Sequence, residues 1–142
     1  MQFMIIRRAD EDTEAGVPAS TELFEAMTKY NEELVKAGVM LDGAGLQPSV
    51  KGAKVRFTGG RPTVIDGPFT EAKELIAGYT MIEVDSLADA IEWVKKWPKL
   101  DGGGNVKIEI RQVAGPEDYG DEFTPELRER EEKLFAELRE KN

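Results

Sequence analysis

The chain has 142 residues, no cysteine, no histidine and a net charge of −9. Those absences exclude disulfides, zinc–thiolate sites, thiolate nucleophiles, Ser-His-Asp triads and His-ligated metals. The acidic balance argues against a phosphate-backbone footprint, and no apolar run approaches the roughly 18 residues of a membrane span.

The first element expected is a buried strand at Phe3, Met4, Ile5 and Ile6. Arg7 and Arg8 follow this run, whereas a signal peptide places its charges first, so the expected location is the cytoplasm. Residues 9–19 read as a polar loop. Ser20 or Thr21 then caps a helix carrying Leu23, Met27, Tyr30 and Leu34 at three- and four-residue spacing, closed by Gly38. Val39 to Leu41 is a brief strand running into Gly43 and Gly45, which signal a bulge or a close backbone approach.

Val55 and Phe57 alternate with Lys54 and Arg56, and Gly59-Gly60-Arg61 turns the chain into a return strand, 62–65. That strand stops at Asp66-Gly67-Pro68-Phe69, and a short helix is expected over 70–76. Ala77 to Val84 is a strand. Ser86 caps a second main helix with Leu87, Ala90, Ile91 and Val94 inward, ended near Pro98. The glycines after Asp101 form a loop without the Gly-Lys-Ser/Thr pattern of a phosphate loop. Val106, Ile108 and Ile110 alternate as a last strand. Thr124 caps a final helix, with Pro125 at its first position and a thin stripe of Leu127, Leu134, Phe135 and Leu138.

Residues 115–142 hold ten acids against five bases, so −5 of the charge lies there and −4 in residues 1–114. The chain is therefore read as a body, 1–114, and an acidic helical extension, 115–142. The extension is expected to dock through Leu127, Leu134 and Leu138 with its charges outward, and to be a candidate surface for a protein partner. The element order predicts an α+β, ferredoxin-like sandwich with helices on one face of the sheet. The other face then calls for a second copy, so a homodimer is expected.

Without histidine, proton transfer falls to carboxylates, Lys or Tyr. Asp66 is the candidate catalytic residue, aimed out of a strand end. The alternative is a turn former whose carboxylate accepts backbone N–H groups. Arg56, Glu71, Lys73 and Tyr79 are candidate ligand-binding residues. Arg56 offers a planar fork for an anion, Glu71 and Lys73 flank a helix start, and Tyr79 could bring a hydroxyl to a cleft rim. Solvated charge, for the first three, and core packing, for Tyr79, are the alternatives. No metal and no cofactor is expected.

The ordered set Ala37-Gly38-Val39, Gly45-Leu46-Gln47-Pro48, Lys54-Val55-Arg56-Phe57, Asp66-Gly67-Pro68-Phe69, Thr70-Glu71-Ala72-Lys73-Glu74, Gly78-Tyr79 and Ala90-Ile91-Glu92-Trp93 resembles the YCII-related, or DGPF-domain, family. The stretch 9–16 and the start of the tail, 123–128, resemble one long-tailed subfamily. The resemblance implies a ferredoxin-like fold pairing into a dimeric α+β barrel, with a cleft in each subunit near the dimer interface. It also implies an Asp-His pair in some relatives. Asp66 would supply the Asp, while Gln47 stands where some relatives carry the His. Two functions are carried forward. One is a small-molecule-binding protein with a His-independent enzymatic activity open to it. The other is a non-enzymatic interaction or regulatory module, since some relatives are associated with sigma-factor-dependent transcription.

Overall fold

The computed structural model describes residues 1–71 and 74–141. The chain divides into two units, Met1–Gln112 and Val113–Asn142.

In the first unit, β1 (Gln2–Arg8), β2 (Met40–Gly45), β5 (Ile76–Glu83) and β6 (Ile108–Gln112) form one antiparallel sheet in the order β2-β5-β1-β6. Helix α2 (Thr21–Lys36) connects β1 to β2, and α3 (Leu87–Val94) connects β5 to β6. This is the split βαβ arrangement of a ferredoxin-like α+β fold. Alternation along β1 buries Phe3, Ile5 and Arg7 on the helix side. Ile82 of β5, Tyr30 and Leu34 of α2 and Ala90 of α3 close that core. Leu34 is 1% exposed, a burial worth about 1.5–3 kcal/mol. The Tyr30 hydroxyl donates to the Trp93 carbonyl at 2.7 Å, and its ring meets Trp97 edge-on at 5.5 Å. Burial, with a push from the Glu33 charge, moves the Tyr30 hydroxyl up to about 12.

The helix starts follow their caps. The Ser20 hydroxyl accepts from the Leu23 N–H, and Ser86 from that of Asp89. The α3 stripe is only partly as expected. Leu87 is 50% exposed, while Trp93 and Val94 pack on the core beside Ala90.

Four readings need correction. Residues 9–19 contain a helical turn, α1 (Glu11–Glu14), because Asp10 and Thr13 cap each other reciprocally. β2 runs four residues past the expected strand, to Gly45, with its bulge between Met40 and Asp42. β3 (Ala53–Thr58) and β4 (Arg61–Asp66) lie outside the main sheet as a separate hairpin. Their two-residue loop puts Gly59 and Gly60 at φ +57° and +80°, the primed-turn geometry that suits tight hairpins. The helix expected over 70–76 falls partly outside the described residues, at 72 and 73, and β5 has already begun at Ile76.

In the second unit, α4 spans Pro125–Lys141, and the Thr124 hydroxyl accepts from the Leu127 N–H. Leu127, Leu134, Phe135 and Leu138 are each at least 42% exposed. Before the helix, Tyr119 and Phe123 meet edge-on at 5.3 Å. Among the described residues no helix is long and apolar enough to cross a membrane.

Candidate functional site

The strands β2 and β5 approach each other through residues without bulk. A Cβ on Gly78 would lie 2.9 Å from the Ala44 carbonyl oxygen, and one on Gly43 would lie 3.2 Å from that of Tyr79. The glycines thus keep the sheet surface low where α2 passes over it. A cleft of about 520 Å³ results. Its floor is Gly43, Ala44, Gly45, Ala77 and Gly78, and its roof is Leu23, Met27 and Asn31 of α2. Arg7, Trp97 and Asp101 line it together with Thr80.

The end with the charges is a closed network. Arg7 Nε donates to Asp101 Oδ2 at 3.1 Å and Nη2 to Oδ1 at 2.7 Å, a bidentate pair. Arg7 Nη1 donates to Asp10 Oδ2 at 3.1 Å and to the Arg8 carbonyl at 2.8 Å. Trp97 Nε1 donates to Asp101 Oδ2 at 2.9 Å. Burial works against the Asp101 charge, but the hydrogen bonds from Arg7 and Trp97 outweigh it and hold the carboxyl below the usual range. Asp10 is likewise opposed by burial and held low by the Thr13 N–H and by Arg7. The hydrogen bond to Asp101 raises Arg7 above its ordinary value. All three are therefore charged at neutral pH, and none is placed to carry protons there.

The side face of the cleft is less settled chemically. Thr80 is 9% exposed, and its hydroxyl has no hydrogen-bond partner among the described residues. The Asn31 amide, half-buried in the roof, has none among them either. Among the described residues no group of three or more acidic side chains is arranged to hold a metal ion.

Of the residues singled out from sequence, Tyr79 is among those lining this cleft, and Asp66, Arg56 and Glu71 are not. Asp66 pairs with Ala53 and so shares a hairpin face with Val55 and Val64, while Arg56 pairs with Thr63 on the opposite face. The structure does not bring Asp66 and Arg56 together. Asp66 is exposed and accepts no side-chain hydrogen bond among the described residues. Glu71 is exposed, and its carbonyl accepts from the Glu74 N–H at 2.9 Å. Lys73 lies outside the described residues. Tyr79 lines the cleft from β5, but its place between Gly78 and Thr80 turns its ring to the sheet face away from the helices.

The segment 66–69 has a backbone role. A Cβ on Gly67 would collide with the Ser49 carbonyl, and Gly67 N–H donates to the Gly52 carbonyl at 3.0 Å. The Phe69 N–H donates to the Ser49 hydroxyl at 2.9 Å, and the Ser49 N–H donates to Glu14 Oε1 at 3.0 Å. The Lys54 ammonium lies 4.4 Å from the centre of the Phe69 ring. The Gly67–Pro68 peptide is cis.

Residues 1–114 match the model of the YCII-related domain. The chain belongs to the YCII-related family. An uncharacterized protein of Rhizobium meliloti (strain 1021) is 32% identical to it over 69 residues, 49% of this chain. The match covers 56% of that relative, a little over half its length. Among solved structures, the chain is similar to the 5-chloro-2-hydroxyhydroquinone dehydrochlorinase TftG of Burkholderia phenoliruptrix AC1100, solved in complex with 2,5-dihydroxybenzoquinone. The TM-score is 0.42 at 18% identity, covering 82% of this chain and 98% of that one.

Proposed function

We propose that this YCII-related chain binds a small organic molecule in the cleft between α2 and strands β2 and β5. One observation carries the reading. Thr80 lines a cavity of about 520 Å³, and its hydroxyl has no protein partner among the described residues; since no buried side-chain polar atom among them lacks one, this hydroxyl faces the open cavity. A hydroxyl open to the cavity is solvated there, and a bound molecule can take over that hydrogen bond in place of water. The volume suits a small ligand. Arg7, Asp10 and Asp101 fix the cleft end in one charged arrangement, which favours holding a ligand over transferring its protons.

The test is a thermal-shift screen of small polar aromatics, followed by Thr80→Val. Valine keeps the shape and removes the hydroxyl. The affinity of a ligand found in the screen should fall by roughly fivefold or more, the scale of one hydrogen bond of about 1 kcal/mol. The melting temperature should stay close to that of the wild type. Unchanged affinity would remove Thr80 from the site.

The reading includes a dimer. The sheet face away from the helices carries Met4, Ile6, Tyr79 and Met81, an apolar surface suited to a second copy. Sedimentation at micromolar concentration should give about twice 15.8 kDa. A monomer that persists across concentrations would end the dimeric-barrel reading.

A further inference from the structure

We propose that the cleft accepts uncharged molecules and rejects carboxylates, a selectivity that rests on the binding function proposed above. Among the described residues lining it, Arg7 is the one cation. A buried arginine in a cavity ordinarily suggests an anion site, because its fork matches a carboxylate. Here the fork is spent. The Nε–Nη2 edge is filled by Asp101, and both Nη1 protons go to Asp10 and the Arg8 carbonyl. Of five N–H groups one remains, which cannot grip a carboxylate in bidentate fashion.

The surrounding charge points the same way. A second hollow, of about 510 Å³, shares Arg7, Thr13 and Asp101 with the cleft and adds Asp10, Glu11 and Asp12. Carboxylates therefore outnumber Arg7 around the charged end. An entering anion would lose its hydration there and gain neither a free cation nor a favourable field. What the cleft still offers is neutral. The Thr80 hydroxyl donates and accepts, and so does the Asn31 amide. The glycine and alanine floor leaves a low surface on which a flat ring can lie. An uncharged planar molecule bearing an amide or hydroxyl group meets every one of these features.

Matched probes separate charge from shape. Benzamide and benzoate form one pair, phenylacetamide and phenylacetate another. Binding is read from the indole N–H of Trp97 and the amides of Gly78 and Thr80 in nitrogen–proton correlation spectra. The amides should shift these signals and bind at least roughly tenfold more tightly than their carboxylates, the order expected for desolvating an unpaired charge. Asp10→Asn removes one of the carboxylates that occupy Arg7 while keeping an N-cap side chain. It should raise benzoate affinity several-fold and so narrow the gap between benzoate and benzamide. If benzoate binds the wild type as well as benzamide does, the selectivity is overturned while the binding function stands. If neither member of either pair moves the three signals, the binding function fails and the selectivity goes with it.

Discussion

Asp101→Ala is expected to destabilise the first unit by about 3 kcal/mol, read as a lower denaturation midpoint with an unchanged slope. The residue is 7% exposed, and its carboxylate accepts three hydrogen bonds, two from Arg7 and one from Trp97. Its removal leaves a buried guanidinium without its bidentate partner and a partly buried indole N–H without an acceptor. Arg7 keeps Asp10 and the Arg8 carbonyl, which places the loss at the lower end of the range of about 3–5 kcal/mol for broken buried pairs. The double replacement Arg7→Met with Asp101→Leu removes both charges and should cost much less, because neither is left uncompensated. A double variant as damaged as the single one would show that the network contributes through something other than its charges.

The same network sets an acid limit. The carboxyls of Asp101 and Asp10 are held below the ordinary carboxylate range in the folded chain, by Arg7 and Trp97 for the first and by the Thr13 N–H and Arg7 for the second. A depressed folded value means that the unfolded chain takes up protons first as pH falls. The stabilisation is complete above the unfolded value and is lost as pH drops through the folded one. Stability should therefore decline below about pH 4, and Asp101→Asn should flatten that decline. A wild-type stability that rises on acidification through this window would contradict the assigned directions.

Much of the fold was legible because it is written in local chemistry. The capping serines, the Gly59-Gly60 hairpin and the alternation at Ile108 and Ile110 each act within a few residues. The hairpin's departure from the main sheet was not legible, since alternation names the faces of a strand but not its neighbours. The charged network at the cleft is not legible for a similar reason. Arg7 and Asp101 stand 94 positions apart, and neither has a motif around it. One signal was available. Arg7 shares parity with Phe3 and Ile5, so the strand that buries them must also bury a charge. A buried arginine demands a carboxylate, and Asp101 sits where three glycines let the chain bend back towards it. Asp66 drew attention because a strand stops there. The physical demand at that stop belongs to its neighbour Gly67 and to Ser49, which takes the backbone N–H expected of the Asp66 carboxylate.

Gly67→Ala tests that reassignment. A methyl group at this position points at the Ser49 carbonyl and lies 3.2 Å from the Gly52 carbonyl oxygen. Both obstacles are backbone, so no side-chain rotation relieves the clash. Either the turn at Ser49–Lys51 or the segment 66–69 has to move, and with it the Gly67–Gly52 and Phe69–Ser49 hydrogen bonds. The expected loss is about 1–3 kcal/mol, on the scale of overpacking a tight contact. Amide exchange should quicken at Gly67 and Phe69, while β1 and β5 stay protected. Asp66→Asn removes an exposed charge beside the same glycine and should stay within about 0.5 kcal/mol of wild type. If the ranking reverses, with the asparagine variant the more damaged, the carboxylate shapes this loop and the backbone account of the segment is wrong.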